Sequence, residues 1–294
     1  MTILNASAVT PRRRRWLREF SRSRAAWMGL ALILPIFVAT MFADTLAPYA
    51  PNDQRISARL QPPGGTVGER SYVLGSDSLG RDVLSRVLHG GRISLLVGVA
   101  AVIVSGALGV TLGLVSGYFR GHVDTVIMRI ADIQLAIPVL ILALTIMAIF
   151  GPSLRNVVIV LGVTGWVPFA RIVRGEVLSV RENEYVLAAT ALGAGHLRMM
   201  VAHILPNVMA SVIVMASTRL GGVIIIEASL SFLGLGIQPP TPTWGNLIAD
   251  GRDLLYTAWW VSTFPGVMLS LAVIGINIIG DWLRDTLDPR LRGV

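Results

Sequence analysis

The chain has no cysteine and no lysine, and only 14% of its 294 residues carry charge. Without cysteine there are no disulfides, no thiolate metal sites and no cysteine nucleophile. Without lysine, no glycine-rich stretch ends in the Lys-Ser/Thr pair of a phosphate-cradling loop. Little charge beside 53% hydrophobic residues and a mean hydropathy of +0.68 excludes a soluble enzyme, because a soluble core of this size does not hide so much apolar matter. Catalytic constellations are missing too. The histidines (His89, His122, His196 and His203) are scattered among loops. There is no Gly-x-Ser-x-Gly elbow, no His-Glu-x-x-His helix and no pair of intramembrane carboxylates, so no active site and no metal site are expected.

What is present is a series of long apolar blocks with arginines between them. They run from Ala25 to about Ala43, Ile93 to Tyr118, Ile130 to Phe150, Val157 to Ala170, Val208 to Gly236 and Val261 to Trp282. About 20 helical residues cross roughly 30 Å of hydrocarbon, so the blocks predict an all-α membrane protein of six transmembrane helices, the fourth marginal in length. The net charge of +8 and pI near 11 do not point to nucleic acid, because the arginines flank the apolar blocks. With a cytoplasmic start, 16 of the 25 arginines fall inside, 8 outside and Arg219 within a span, a bias that orients both termini to the cytoplasm. A cleaved signal peptide is disfavoured, because no small-residue cleavage site follows Phe42 and further spans lie downstream. The expected organisation is an arginine-rich cytoplasmic segment 1–24, a first span 25–46, an extracytoplasmic segment 47–92, and a five-helix core 93–283. That core contains a cytoplasmic loop 171–206 and an extracytoplasmic segment 238–262; a cytoplasmic tail 284–294 follows.

Several patterns carry more than hydrophobicity. Gly109, Gly113, Gly117 and Gly121 recur every four residues, a stripe that lets helix backbones approach closely in lipid. From Glu184 to Asn207 the chain reads as helix, break, helix, stop: Ala188, Ala189 and Ala191 favour helix, Gly193 and Gly195 permit reversal, and Pro206 is expected to end the second helix. Such a protruding pair suits docking into a groove of a soluble partner, with an interfacial amphipathic loop as the alternative. In the fifth block, Arg219 and Glu227 are ionisable at membrane depth and lie about 12 Å apart along a helix, so each needs a cavity or a neighbouring helix. The outer segment holds Trp244, Asp250, Arg252, Trp259 and Trp260, fitting either interfacial anchors or a helix that shapes a pore mouth or contacts a partner. Asp77, Arg81, Asp82, Arg86 and Arg92 are balanced charges of the kind that usually form a solvated face.

The 184–207 segment resembles the "EAA" coupling loop of ABC importer permeases, with Ala188, Ala189, Gly193, His203 and Pro206 at matching positions and Leu187 where the general pattern has glutamate. Leu74–Arg86, Gly117–Asp124, Glu227–Gly236, Gln238–Gly245 and Asp285–Arg290 narrow the resemblance to the "C"-type subunit of the dipeptide/oligopeptide permease family, which also includes nickel-chelate and glutathione importers. The resemblance implies a type I ABC importer fold and alternating access. It also implies a second homologous permease subunit, two ATP-binding subunits that hold ATP and Mg, and an extracytoplasmic substrate-binding protein. No cofactor of this chain's own is implied. It further implies that the fifth span lines the translocation path. An ion-coupled secondary transporter is the competing class, but it should show several midplane carboxylates or related halves, and the sequence shows neither.

Overall fold

A computed structural model describes residue 21 and residues 23–287, so most of the arginine-rich segment 1–24 and the last residues 288–294, with half of the Asp285–Arg290 motif, lie outside the described part. The helices are α1 (Arg24–Met41), α2 (Ala43–Leu46), α3 (Val83–Phe119), α4 (Gly121–Leu135), α5 (Val139–Phe150), α6 (Leu154–Thr164), α7 (Trp166–Val180), α8 (Glu184–Ala191), α9 (His196–Arg198), α10 (Leu205–Phe232), α11 (Trp244–Gly251) and α12 (Trp260–Leu287). A short antiparallel hairpin, β1 (Gly65–Val67) and β2 (Arg70–Tyr72), pairs Gly65 with Tyr72 and Val67 with Arg70.

Among the described residues, five helical runs are long and apolar enough to cross a membrane, and the bent pair α4–α5 makes a sixth. Their limits differ from the apolar blocks in ways that have local causes. The second span starts at Val83, ten residues before the apolar block, because Asp82 caps it by accepting from the Ser85 backbone N–H at 2.7 Å. Residues 83–92 of the expected outer segment are therefore helix. The third block is broken by 89° between α4 and α5, where Pro138 sets an extended backbone that helix cannot continue. The marginal fourth block reaches spanning length because α6 and α7 join into one run, Leu154–Val180.

Pro206 does not stop a helix, contrary to the sequence expectation. It sits in the first turn of α10, and a π-helical stretch, Met199–Ile204, joins α9 to α10 so that His196–Phe232 runs on as one element. A proline is tolerated in a first turn, and the wider π turn absorbs the missing N–H and the ring's clash with the preceding turn.

The long α3 is the mast of the bundle. Gly109, Gly113 and Gly117 let it lie on α7: a Cβ at Gly109 would meet the Trp166 carbonyl oxygen at 2.5 Å, one at Gly113 the Ala170 carbonyl oxygen at 2.5 Å, and one at Gly117 the Val177 Cβ at 2.8 Å. Gly121 is not part of this stripe. The chain turns at Arg120, and Gly121 opens α4 at φ +53° with nothing near its missing Cβ. On the other side α12 packs against α1 and α10; Gly29 abuts Ile278 and Ile279, and Gly280 abuts Ser217 and Thr218. These close approaches substitute van der Waals contact for the apolar drive that lipid does not supply.

Candidate functional site

One end of the bundle carries the helix pair. α8 buries only Val186, while Leu187 is exposed, Ala188 is exposed and Ala189 is half-buried. It ends in a left-handed cap: Gly193 takes φ +83°, its N–H donates to Thr190 O at 3.0 Å, and the Ala194 N–H donates to Ala189 O at 3.1 Å. Leu192, 89% exposed, and Leu197, 72% exposed, stand on either side of this turn. The pair is tied to the bundle at its base. Tyr118 Oη lies 2.9 Å from His196 Nδ1, Arg181 donates to the Tyr118 carbonyl at 2.8 Å, and Arg120 pairs with Glu182 at 2.6 Å. Met200 and Ile204 bury against Phe169, Val173 and Val177, and Met199 is buried as well. His203 is half-buried, and its carbonyl accepts from Asn207 Nδ2 at 2.6 Å. α9, the π turn and α10 are continuous, so the pair and the residues Arg219 and Glu227 share one helical run.

Arg219 and Glu227 have different surroundings. Glu227 is fully buried and accepts from Ser94 Oγ at 3.0 Å and Ser231 Oγ at 2.9 Å, an arrangement that braces α10 against α3 rather than lining a cavity. Arg219 lines a cavity of about 250 Å³ at the α4–α5 break, together with residues that include Val102, Gln134, Leu142, Phe169 and Val223. The break is held by Gln134, whose Nε2 donates to the Thr164 carbonyl at 2.7 Å while its Oε1 accepts from Trp166 Nε1 at 2.7 Å. Non-helical backbone at membrane depth is tolerated where it lines a cavity or is buried in protein, and this break does the former.

At the opposite end, four of the five charges read as a solvated face, Asp77, Arg81, Asp82 and Arg86, are interior, while Arg92 is exposed and pairs with Asp44 at 3.0 Å. Asp77 is 1% exposed and receives four donors: the backbone N–H groups of Leu79 and Arg81 at 2.9 and 3.0 Å, Arg81 Nε at 2.6 Å and Arg86 Nη1 at 2.6 Å. Arg86 also reaches Asp250 of α11 at 3.2 Å, and Arg81 approaches the same carboxylate at 3.6 Å. The result is a cluster of two acids and two guanidiniums, with Asp77, Arg81 and Arg86 buried and Asp250 at its exposed edge, that fastens the outer segment to α11. Gly80 permits it by taking φ +73° with the Arg55 backbone packed against its α-carbon. Burial holds the Asp82 carboxyl above its ordinary value, opposed by the hydrogen bonds from Ser85 and aided by the neighbouring Asp77. Asp44 is held below the usual carboxylate range by hydrogen bonds from His89 and then Arg92.

The outer aromatics divide likewise. Trp244 is fully buried, its Nε1 donating to the Val87 carbonyl at 3.0 Å and its N–H to Ser94 Oγ at 3.3 Å, so it is core and not an anchor. Trp260 is also buried and donates to the Ser76 carbonyl at 3.0 Å. Trp259 and Tyr256 are exposed, and Arg252 is exposed with its guanidinium 5.7 Å from the Phe232 ring centre. Sequence reasoning missed the Asp77 cluster and the Gln134 clamp, and the Asp-to-Arg spacing of four residues from Asp77 to Arg81 was the one local signal of an ion pair.

Residues 109–293 match the family described as the binding-protein-dependent transport system inner membrane component, and residues 11–63 match the N-terminal transmembrane domain of oligopeptide transport permease C. The chain belongs to this permease family. It is 43% identical to the di/tripeptide transport system permease protein DppC of Pseudomonas aeruginosa, covering 94% of this chain and 91% of that protein. It is 44% identical to the dipeptide transport system permease protein DppC of Escherichia coli, covering 97% and 95%. Among solved structures, the fold is similar to an inward-facing MetNI methionine ABC transporter, with TM-score 0.57 and 18% identity over 69% of this chain and 96% of that one. The permease is thus a multi-pass inner-membrane subunit of an ABC importer, with the type I permease fold. It works with ATPase and other subunits, and the ATPase activity lies in those separate subunits. The ion-coupled alternative is set aside by this membership. Among the described residues no cluster of metal-binding side chains occurs.

Proposed function

We propose that this permease imports di- or oligopeptides by alternating access, as one of two homologous permease subunits above two ATP- and Mg-binding subunits. Peptide arrives from an extracytoplasmic binding protein at the end bearing α11, and both termini of the permease face the cytoplasm. In this reading the loop 171–206 is cytoplasmic, and Ala188, Ala189, Gly193, His203 and Pro206 belong to the coupling element. The observation that carries it is the protruding pair α8–α9, with Leu187, Leu192 and Leu197 exposed around a glycine turn and no element among the described residues covering them. Apolar side chains displayed on a short helix pair suit a groove in a soluble partner. The continuous His196–Phe232 helix then turns ATPase closure into tilt of the span that carries Arg219. The peptide assignment is supported by the dipeptide and di/tripeptide names of the relatives at 43–44% identity.

The test is uptake of a labelled dipeptide by liposomes holding the complete transporter, with Leu192→Asp as the perturbation. The expected result is ATP-dependent uptake in the parent complex and loss of ATPase subunits on purification of the variant. Retention of the ATPases with undiminished uptake in Leu192→Asp, or uptake by the permease chains alone, would refute it.

A further inference from the structure

The cavity at the α4–α5 break contains one ionisable side chain, Arg219, and the structure gives it no counter-charge. No hydrogen bond or ion pair reaches its guanidinium among the described residues. Each carboxylate on the helices that line the cavity is engaged elsewhere: Asp124 with Arg174, Asp132 with Arg171, Glu176 with Ser211, and Glu227 with Ser94 and Ser231. The other polar residues of the lining are tied into the bundle. Ser105 donates to the Ala101 carbonyl and Thr164 to the Val160 carbonyl, while Gln134 commits one N–H to the Thr164 carbonyl and its Oε1 to Trp166 Nε1. Arg219 therefore supplies the charged donors of a largely apolar wall made by residues such as Val102, Leu142, Phe169 and Ile226.

We infer that Arg219 is the subsite for a solute carboxylate, met during passage through the bundle. This rests on the peptide-import reading and deepens it: the group recognised is the terminal carboxylate of a short peptide. A guanidinium presents a planar fork that matches a carboxylate with two parallel hydrogen bonds. The apolar walls accept side chains with little discrimination, as a transporter of varied peptides requires. At about 250 Å³ the cavity falls just below the usual ~300–1,000 Å³ range of ligand pockets, which limits the occupant to a few residues. A mid-membrane arginine could also be met by a carboxylate of the second permease subunit, and the experiment separates the two sources.

The test uses the assembled transporter without its binding protein, so that the permease's own selectivity is read. Equilibrium binding of labelled Ala-Ala and of its C-terminal amide is measured for the parent, Arg219→Gln and Arg219→Lys. Expected results are a Kd for Ala-Ala that rises about 10- to 100-fold in Arg219→Gln, the range for charge-assisted hydrogen bonds, and partial rescue by Arg219→Lys. The amide should bind the parent as weakly as Ala-Ala binds Arg219→Gln, and both variants should purify as the complete complex. Equal binding of acid and amide by the parent, an unchanged Kd in Arg219→Gln, or no measurable binding by the parent overturns the inference. Disassembly of the complex in Arg219→Gln also overturns it, in favour of a carboxylate on the neighbouring subunit. Absence of peptide uptake by the complete parent transporter would instead defeat the import reading on which it rests.

Discussion

Alanine at Gly113 is the sharpest probe of how α3 lies on α7. A Cβ there would meet the Ala170 carbonyl oxygen at 2.5 Å, Val173 Cβ at 2.9 Å and Ala170 Cα at 3.0 Å. Two of those three atoms are backbone, so no change of rotamer removes the collision and the helices must part. Gly106, on the same helix, offers the matched control, because a Cβ there would meet only Phe169 Cε1, at 3.8 Å. Both substitutions gain the same helix propensity, about 1 kcal/mol, and their difference isolates the collision. Overpacking a well-fitted contact costs about 1–3 kcal/mol. For a chain of a few hundred residues each 1 kcal/mol moves Tm by about 2–4 °C, so Gly113→Ala should melt roughly 2–10 °C below Gly106→Ala. Intrinsic fluorescence melting of the two purified variants in one detergent reads this directly. Coincident melting curves, or a higher midpoint for Gly113→Ala, would refute the argument that backbone approach, and not glycine as such, makes the α3–α7 contact.

Four further outcomes follow from individual contacts. Glu227→Gln should shift stability by less than about 1 kcal/mol, because a carboxamide can still bond both serine hydroxyls, whereas Glu227→Leu should cost about 1–3 kcal/mol for each hydroxyl stranded; equal losses in melting would contradict the bracing role. Asp77→Asn removes the charge shared by Arg81 and Arg86, and breaking such a buried cluster costs about 3–5 kcal/mol, so limited trypsin digestion should newly cut after Arg81 and Arg86. Gly193→Ala puts a Cβ on a left-handed residue at about 1–2 kcal/mol, and should reduce dipeptide uptake per ATP hydrolysed in the reconstituted transporter while leaving membrane insertion, scored by fractionation, intact. The raised Asp82 value means that ionisation opposes folding. That penalty is absent below the ordinary value of 3.8 and grows as pH rises through the folded value, so Asp82→Asn should gain more melting temperature over the parent at pH 7 than at pH 4.

Much of the architecture is local chemistry and was readable as such. Blocks of apolar residues long enough for the hydrocarbon core fix the membrane character and the six crossings, because the bilayer imposes one length on every helix. The helix, turn and helix around Gly193 were readable because alanine runs and a left-handed glycine act over a few residues. So was the spacing of Gly109, Gly113 and Gly117, whereas Gly121 shared the spacing but not the helix, since the chain turns at Arg120. Pro206 was misread because a proline in a first turn and a proline after a last turn look alike in sequence, and only the π turn before it distinguishes them.

What the tertiary structure alone decided is the partner of each charge. Asp77, Arg81 and Arg86 have the composition of a wetted loop, and nothing local says that they are buried or that Asp250, 164 residues from Arg86, joins the cluster. Glu227 and Arg219 share one helix, but Glu227 is fully buried and Arg219 is exposed. Ser94 on α3 supplies the first with a hydroxyl, while the second meets the opening left where Pro138 parts α4 from α5. Hydrophobic periodicity determines that a chain enters the bilayer and how often. Which charge is buried and satisfied and which stands open at a cavity depends on atoms brought together from distant parts of the sequence.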